Sequence, residues 1–171
     1  MNELIQKIEQ WAEDRNIIKG TKPIDQAMKL FSEAGELADN VGKGCDVKDD
    51  IGDIFVVLTI ISAQTGHSIA DIEAPRWADG NNKNLVLKLS GALVEFVEYK
   101  HNGNSFASGV LKRILNILNG IARNHKTTLE ECVQVAYDDI KERRGILMNG
   151  VFVKESDPAY KEALIALNKP H

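Results

Sequence analysis

From Ile54 to Ile61 the chain reads Ile-Phe-Val-Val-Leu-Thr-Ile-Ile, eight residues that leave no polar face. As a helix this stretch is apolar all round, so it belongs in the middle of a packed bundle. The same helix opens with Asp49-Asp50-Ile-Gly-Asp53, which carries carboxylates into a buried element, where acids need partners. Upstream, Ile24, Ala27, Met28, Phe31, Ala34, Leu37 (or Ala38) and Val41 recur at helical spacing and predict a core-facing helix. That helix carries Glu33 and Glu36. Residues three apart share a helix face, so each acid-x-x-acid pair aims two carboxylates the same way.

If the two helices pack together, Glu33, Glu36, Asp50 and Asp53 converge. Four negative charges repel unless a cation sits among them. An all-oxygen set suits a hard cation, Mg²⁺ first and Mn²⁺ second. A site of that kind suits the binding and cleavage of phosphates. Spacing alone is weak evidence: with 25 acids in 171 residues, the pattern arises by chance about once in such a chain. Gly35, mid-helix, where glycine costs about 1 kcal/mol against alanine, predicts close packing beside the carboxylates. The bland alternative is that Asp49, Asp50 and Asp53 merely favour a helix N-terminus, and that Glu33 and Glu36 form a solvated face.

The segment Lys29-Leu-Phe-Ser-Glu-Ala-Gly-Glu-Leu-Ala38, followed by Asp50-Ile-Gly-Asp53, resembles the MazG-like all-α NTP pyrophosphohydrolases, whose signature is Glu-x-x-Glu, a spacer, then Glu-x-x-Asp. Ala136-Tyr-Asp-Asp-Ile-Lys-Glu-Arg-Arg-Gly145 is similar to the family's last helix, which ends in a basic stretch. The resemblance covers about residues 1–66 and 128–154, with an extra helical segment between. Position 50 is Asp where the family usually has Glu, a shorter arm toward a metal. The resemblance implies hydrolysis between the α and β phosphates of a nucleoside triphosphate, giving monophosphate and pyrophosphate, in the removal of non-standard or excess nucleotides. It also implies a homodimer. Related all-α dUTPases share the acid pattern, so a dUTP-selective enzyme is a close alternative. A catalytically silent helical binding or assembly protein is another, supported by Asp50.

Length and composition agree with a compact soluble protein, 171 residues making one domain or one duplicated unit; the helical spacing and the resemblance make that domain all-α. Hydrophobic content of 43% suffices for a core. A net charge of −4 argues against general affinity for nucleic acid or membranes. No apolar run reaches the length of a membrane span, and the first residues lack a signal-peptide core. Cys45 and Cys132 have no metal-type spacing and read as reduced thiols of a cytoplasmic protein.

The expected order is a first helix with a stripe of Leu4, Ile5, Ile8, Trp11 and Ala12; a second opened at Thr21-Lys-Pro23 and stopped by Gly42-Lys-Gly44; a third over 48–65. Ser68 caps a short continuation to Ile72, and 73–82 form a loop. Helices follow over about 84–101 and 106–124. Thr128 and Glu131 form a capping box for the next, Asn149-Gly150 turns a small hairpin over 146–153, and Asp157-Pro158 starts a last helix. The chain thus divides into a metal-site half (about 1–72), a second helical half (about 84–145) and a C-terminal hairpin and helix (146–171). Offset by sixty, residues 58–69 faintly align with 118–129, placing Asp53 against Arg113; offset by fifty-nine, Lys29 meets Lys88 and Glu33 meets Ala92. If this is a duplication, one half holds metal and the other is structural or supplies basic groups; the alternative is a chance alignment of amphipathic helices.

Lys141, Arg143 and Arg144 read equally as triphosphate ligands and as cations favoured at a helix C-terminus. Tyr137 either stacks on a base or packs in the core, and Lys154 after the hairpin is a further phosphate contact. One of the carboxylates, or Asp49, orients the attacking water. Leu85, Leu87, Leu89, Leu93, Phe96, Val97, Leu111, Ile114, Leu115, Ile117 and Leu118 offer more apolar surface than one chain is expected to bury, which points to a two-fold partner, the alternative being a monomer whose second half plays the partner's role.

Overall fold

The computed structural model describes residues 1–72, 76–101 and 108–167, with Lys100 and His101 by backbone only. Among them the chain is helical apart from one hairpin: α1 Asn2–Asp14, α2 Ile17–Gly20, α3 Pro23–Lys43, α4 Lys48–Gln64, a 3₁₀ turn Ile69–Asp71, α5 Asn82–His101, α6 Ser108–Asn124, α7 Leu129–Ile140, β1 Gly145–Met148, β2 Val151–Lys154 and α8 Tyr160–Leu167. The expected start of a helix at 106, Pro75 and His171 lie outside the described residues.

The helix ends follow from local chemistry. Asp25 accepts from the backbone N–H of Lys22 at 2.9 Å, and Pro23 sets the first turn of α3, where its missing N–H is not needed. Gly44 closes α3 at φ 72°, a conformation glycine adopts without steric cost. Asp46 accepts from the N–H groups of Val47 and Lys48, at 2.8 and 3.2 Å, ahead of α4. The Thr128–Glu131 capping box forms at the start of α7. Asn149 and Gly150 both take positive φ, the geometry of the tight hairpin turn, and pair Ile146 with Val153 and Leu147 with Phe152.

Helix α4 is the centre of the bundle. Every residue from Asp50 to Ser62 except Asp53 is buried. The Thr59 hydroxyl is satisfied by donating to the Phe55 carbonyl at 2.9 Å. The close approach expected at Gly35 occurs instead at Gly52. A Cβ on Gly35 meets nothing within 4 Å, whereas one on Gly52 would lie 2.2 Å from the Cys132 carbonyl of α7 and 2.6 Å from Ala136 Cβ. The reason is orientation: Gly35 lies on the exposed side of α3, while Gly52 sits where α4 meets α7.

Helices α3 and α5 pack on one another, and α5 forms a second helical pair with α6. The offset of sixty recurs in the backbone. Helices α4 and α6 are both 17 residues long and start sixty apart. The turns after them match bond for bond. Gly66 N–H donates to Ala63 at 3.0 Å and Lys126 to Arg123 at 2.9 Å; His67 donates to Ser62 at 3.0 Å and Thr127 to Ala122 at 3.1 Å. Both turns pass through positive φ, at Gly66 and Lys126. The hydroxyls of Ser68 and Thr128 then cap the next helical element, the 3₁₀ turn in one case and α7 in the other.

Ten of the eleven apolar residues that pointed to a partner are buried inside the chain, because α5 and α6 bury them on one another and on the bundle; only Leu87 is exposed, at 73%. No helix of the described residues is long and apolar enough to cross a membrane.

Candidate functional site

Glu33 lies on the α3 face beside α4 and is 2% exposed. It pairs with Lys29, one turn earlier. Asp50, 7% exposed, has both carboxylate oxygens held by the Asn40 side-chain amide, at 2.9 and 3.2 Å. Asn40 shares the α3 face with Glu33 and Glu36, seven and four residues on. Asp53 is half-buried, while Glu36 and Asp49 are exposed.

The carboxylates sense one another. Burial, reinforced by the charges of Glu33 and Asp49, pushes Asp53 up to about 7, with Lys29 and Arg143 pulling the other way. Asp50 is raised by burial and then by Asp49, Glu36 and Glu33, against the Asn40 hydrogen bond. Asp49 is raised by burial, Asp139 and Glu33, against Arg143. The four acids picked out by spacing therefore share one field, and Asp49 is a fifth member.

As they stand, no three acid, histidine or cysteine side chains among the described residues are grouped to hold one ion. Two of the arms are engaged elsewhere: Glu33 holds Lys29, and Asp50 holds Asn40. The donor types nonetheless suit a hard divalent cation: all four are carboxylates, and burial with the neighbouring charges raises Asp50 and Asp53. Glu33, Glu36, Asp50 and Asp53 are the residues that would hold it.

Beside these acids lies a cavity of about 290 Å³ whose polar wall is Lys29, Glu33, Asp53, Gln26 and Arg143. Its apolar wall includes Trp11 of α1, Val57 of α4, and Leu147 and Phe152 of the hairpin. The hairpin is fixed over the cavity by contacts with the α1–α2 junction. Leu147 N–H donates to the Arg15 carbonyl at 2.8 Å, and the Asn16 amide donates to the Leu147 carbonyl at 3.0 Å. Arg15 also ties α1 to the end of α7, donating to the Arg143 carbonyl at 2.6 Å, and its guanidinium lies 5.0 Å from the Trp11 ring centroid. The Trp11 indole N–H is buried without a hydrogen-bond partner.

Of the side chains expected to bind substrate, Lys141, Arg144, Tyr137 and Lys154 do not line this cavity. Lys141 pairs with Asp138 at 2.7 Å. Arg144 points to Glu155, 3.7 Å away. Tyr137 is half-buried against the core, and Lys154 is exposed at the hairpin end. Arg143, the third cation of that helix end, does line it, held by Asp139. Helix α7 stops at Ile140, and beyond it helical spacing no longer fixes which cation turns inward. Lys29, Asn40, Trp11 and Phe152 were not singled out as site residues from the sequence. Lys29 and Asn40 were legible as neighbours of the acids on the α3 face, whereas Trp11 and Phe152 reach the site only through tertiary docking.

No family model and no solved structure matches the chain. It is similar to an uncharacterized 18.2 kDa protein of the rep-hol intergenic region of Haemophilus phage HP1 (strain HP1c1), 47% identical over 66 residues. The match spans 37% of this chain and 40% of the phage protein.

Proposed function

We propose that this chain is a Mg²⁺-dependent nucleoside triphosphate pyrophosphohydrolase of the MazG-like all-α type, converting an NTP or dNTP and water to the monophosphate and pyrophosphate. The observation that carries the reading is the mixed wall of one cavity: the carboxylates of Glu33 and Asp53, the latter pushed up to about 7, with two cations and aromatic walls in a single pocket. Glu33, Glu36, Asp50 and Asp53 would hold the metal once Glu33 releases Lys29 and Asp50 releases Asn40. Bound there, the ion supplies charge neutralisation at the phosphate oxygens. Lys29 and Arg143 are placed to take triphosphate oxygens, and Arg suits that role through its forked donors. Trp11 and Phe152 offer the base an apolar seat. Asp49, which feels the charge of Glu33 and is more exposed, would orient the attacking water. The protein works in the cytoplasm, where Cys45 and Cys132 stay reduced; burial pushes the Cys132 thiol up to about 11, which keeps it inert.

The test is pyrophosphate release from a panel of NTPs and dNTPs, dUTP included, with Mg²⁺, with Mn²⁺ and with EDTA. Release that needs the metal is expected. Preference for dUTP alone would narrow the reading to a dUTP diphosphatase. No release from any substrate would overturn catalysis and favour a silent nucleotide-binding protein, a reading that the Asn40 clamp on the short-armed Asp50 supports.

A further inference from the structure

The chain is acidic overall, yet residues 76–126 hold eight Lys or Arg against three Asp or Glu, a surplus of five positive charges. Within that stretch lies a second cavity, of about 550 Å³, between α5 and α6. Its rim is the segment 76–80, strapped along α6. Ala78 N–H donates to the Asn116 carbonyl at 2.8 Å, and the Asn119 and Asn124 amides donate to the carbonyls of Arg76 and Gly80 at 3.0 and 2.9 Å. A Cβ at Gly120 would lie 2.3 Å from the Ala78 carbonyl oxygen, so only glycine lets the strap lie this close. The strap holds Trp77 at the cavity edge, 54% exposed, with the Arg123 guanidinium 4.5 Å from its ring centroid.

This cavity is the counterpart of the first under the internal repeat. Lys29 corresponds to Lys88, Glu33 to Ala92, Asp53 to Arg113, and Val56 to Asn116; all eight line their respective cavities. The exchanges invert the chemistry. Two carboxylates that call for a cation are replaced by a methyl group and a guanidinium. Arg113 is held by Glu95, the counterpart of Glu36. Asn116 adds a polar group where the first cavity has valine, and its side-chain oxygen is buried with no hydrogen-bond partner. A buried acceptor left unpaired is unfavourable, and a ligand N–H would satisfy it. Each cavity is edged by a tryptophan with an arginine against its ring.

We propose that the second cavity binds a nucleoside monophosphate without metal, its phosphate on Lys88 and Arg113, its base beside Trp77 with an N–H donated to Asn116. The anion-binding part rests on these residues alone; the nucleotide class rests on the reading of the first cavity.

Trp11→Phe leaves Trp77 as the only tryptophan of the two in the chain, so its fluorescence reports this cavity. In EDTA, titration with AMP, GMP, CMP and UMP should quench it saturably for at least one of them. Lys88→Gln should weaken that binding by about tenfold, the loss of one charge-assisted contact. Gly91→Leu, at a position with nothing within 4 Å of a Cβ, should block the cavity while thermal melting is held or raised. Both variants, made in the unaltered chain, should keep the pyrophosphate release of the first site. A chain that releases no pyrophosphate yet shows the quenching would sink only the first reading. Absence of quenching up to about 10 mM, quenching that survives both substitutions, or quenching by an oligo-dT strand but by no mononucleotide would overturn this one.

Discussion

Asp53 is the residue on which the site's electrostatics can be read without substrate. In the metal-free protein its carboxyl is raised from 3.8 to about 7. Between those values the folded chain keeps a proton that the unfolded chain has lost. Stability therefore falls as pH rises from about 4 to about 7 and levels off above. Asp49 and Asp50 are raised in the same direction and add to the fall. Asp53→Asn in EDTA should thus melt higher than the parent at about pH 8 and close to it at about pH 4; a lower melting temperature at the alkaline end would contradict the crowding. Saturating Mg²⁺ should reverse the order, because a ligand at a hundredfold excess over its dissociation constant adds about 2.7 kcal/mol to a chain that binds it. In the assay, Glu33→Gln and Asp53→Asn should each cut turnover by about a hundredfold or more, the scale of losing one key electrostatic group. Near-parental turnover in both would make the acids decoration. The acids were legible in the sequence because a spacing of three on an apolar helix fixes a shared direction. The cations were legible only as a group: that Arg143 turns inward, and Lys141 and Arg144 do not, depends on where α7 ends and on the grip of Arg15.

The site's shape depends on how closely α4 meets α7, and Gly52 sets that distance. The exposed Gly35 drew attention from the sequence as the packing glycine because both lie beside acids, and one-dimensional spacing does not say which neighbour each helix side faces. Gly52→Ala forces a methyl group into the Cys132 carbonyl, so α7 must shift. Overpacking of this kind costs about 2 kcal/mol, or roughly 4–8 °C in melting temperature for a chain of this size. Because Asp50 and Asp53 flank Gly52, the shift should also lower turnover. A melting temperature within about 1 °C of the parent would mean that the helices are not in such contact. The element order was legible almost throughout, since caps, glycine stops and apolar period agree. The one helix missed, α2, is a single turn in which only Ile17 is buried, too short for periodicity to register. The offset of sixty shows most clearly in backbone: helix length, turn and capping hydroxyl agree across it, while few side chains do.

For the whole molecule, one open apolar stripe runs along α3. Met28, Phe31, Gly35, Ala38 and Gly42 are all exposed, and their spacing of three and four is the seam of two packed helices. A Cβ at Gly35 or Gly42 meets nothing within 4 Å in the chain itself, so another helix could approach closely. This stripe gives the proposed homodimer a firmer basis than the α5 and α6 residues first suggested for it, since those are consumed within the chain. The helical angle of about 100° per residue puts the stripe on the side of α3 opposite Glu33. Assembly and chemistry are therefore separable. Light scattering coupled to size exclusion should give a mass of twice the 18.9 kDa of one chain. Met28→Lys with Phe31→Glu should reduce it to one chain while the acids, Lys29 and Arg143 keep their places and pyrophosphate release per chain is retained. Two results would count against the seam: a parental mass near 18.9 kDa at micromolar concentration, or a dimer indifferent to both substitutions. The first would leave α5 and α6 as the permanent substitute for a partner, one chain doing with two unequal halves what a symmetric pair does with two equal ones.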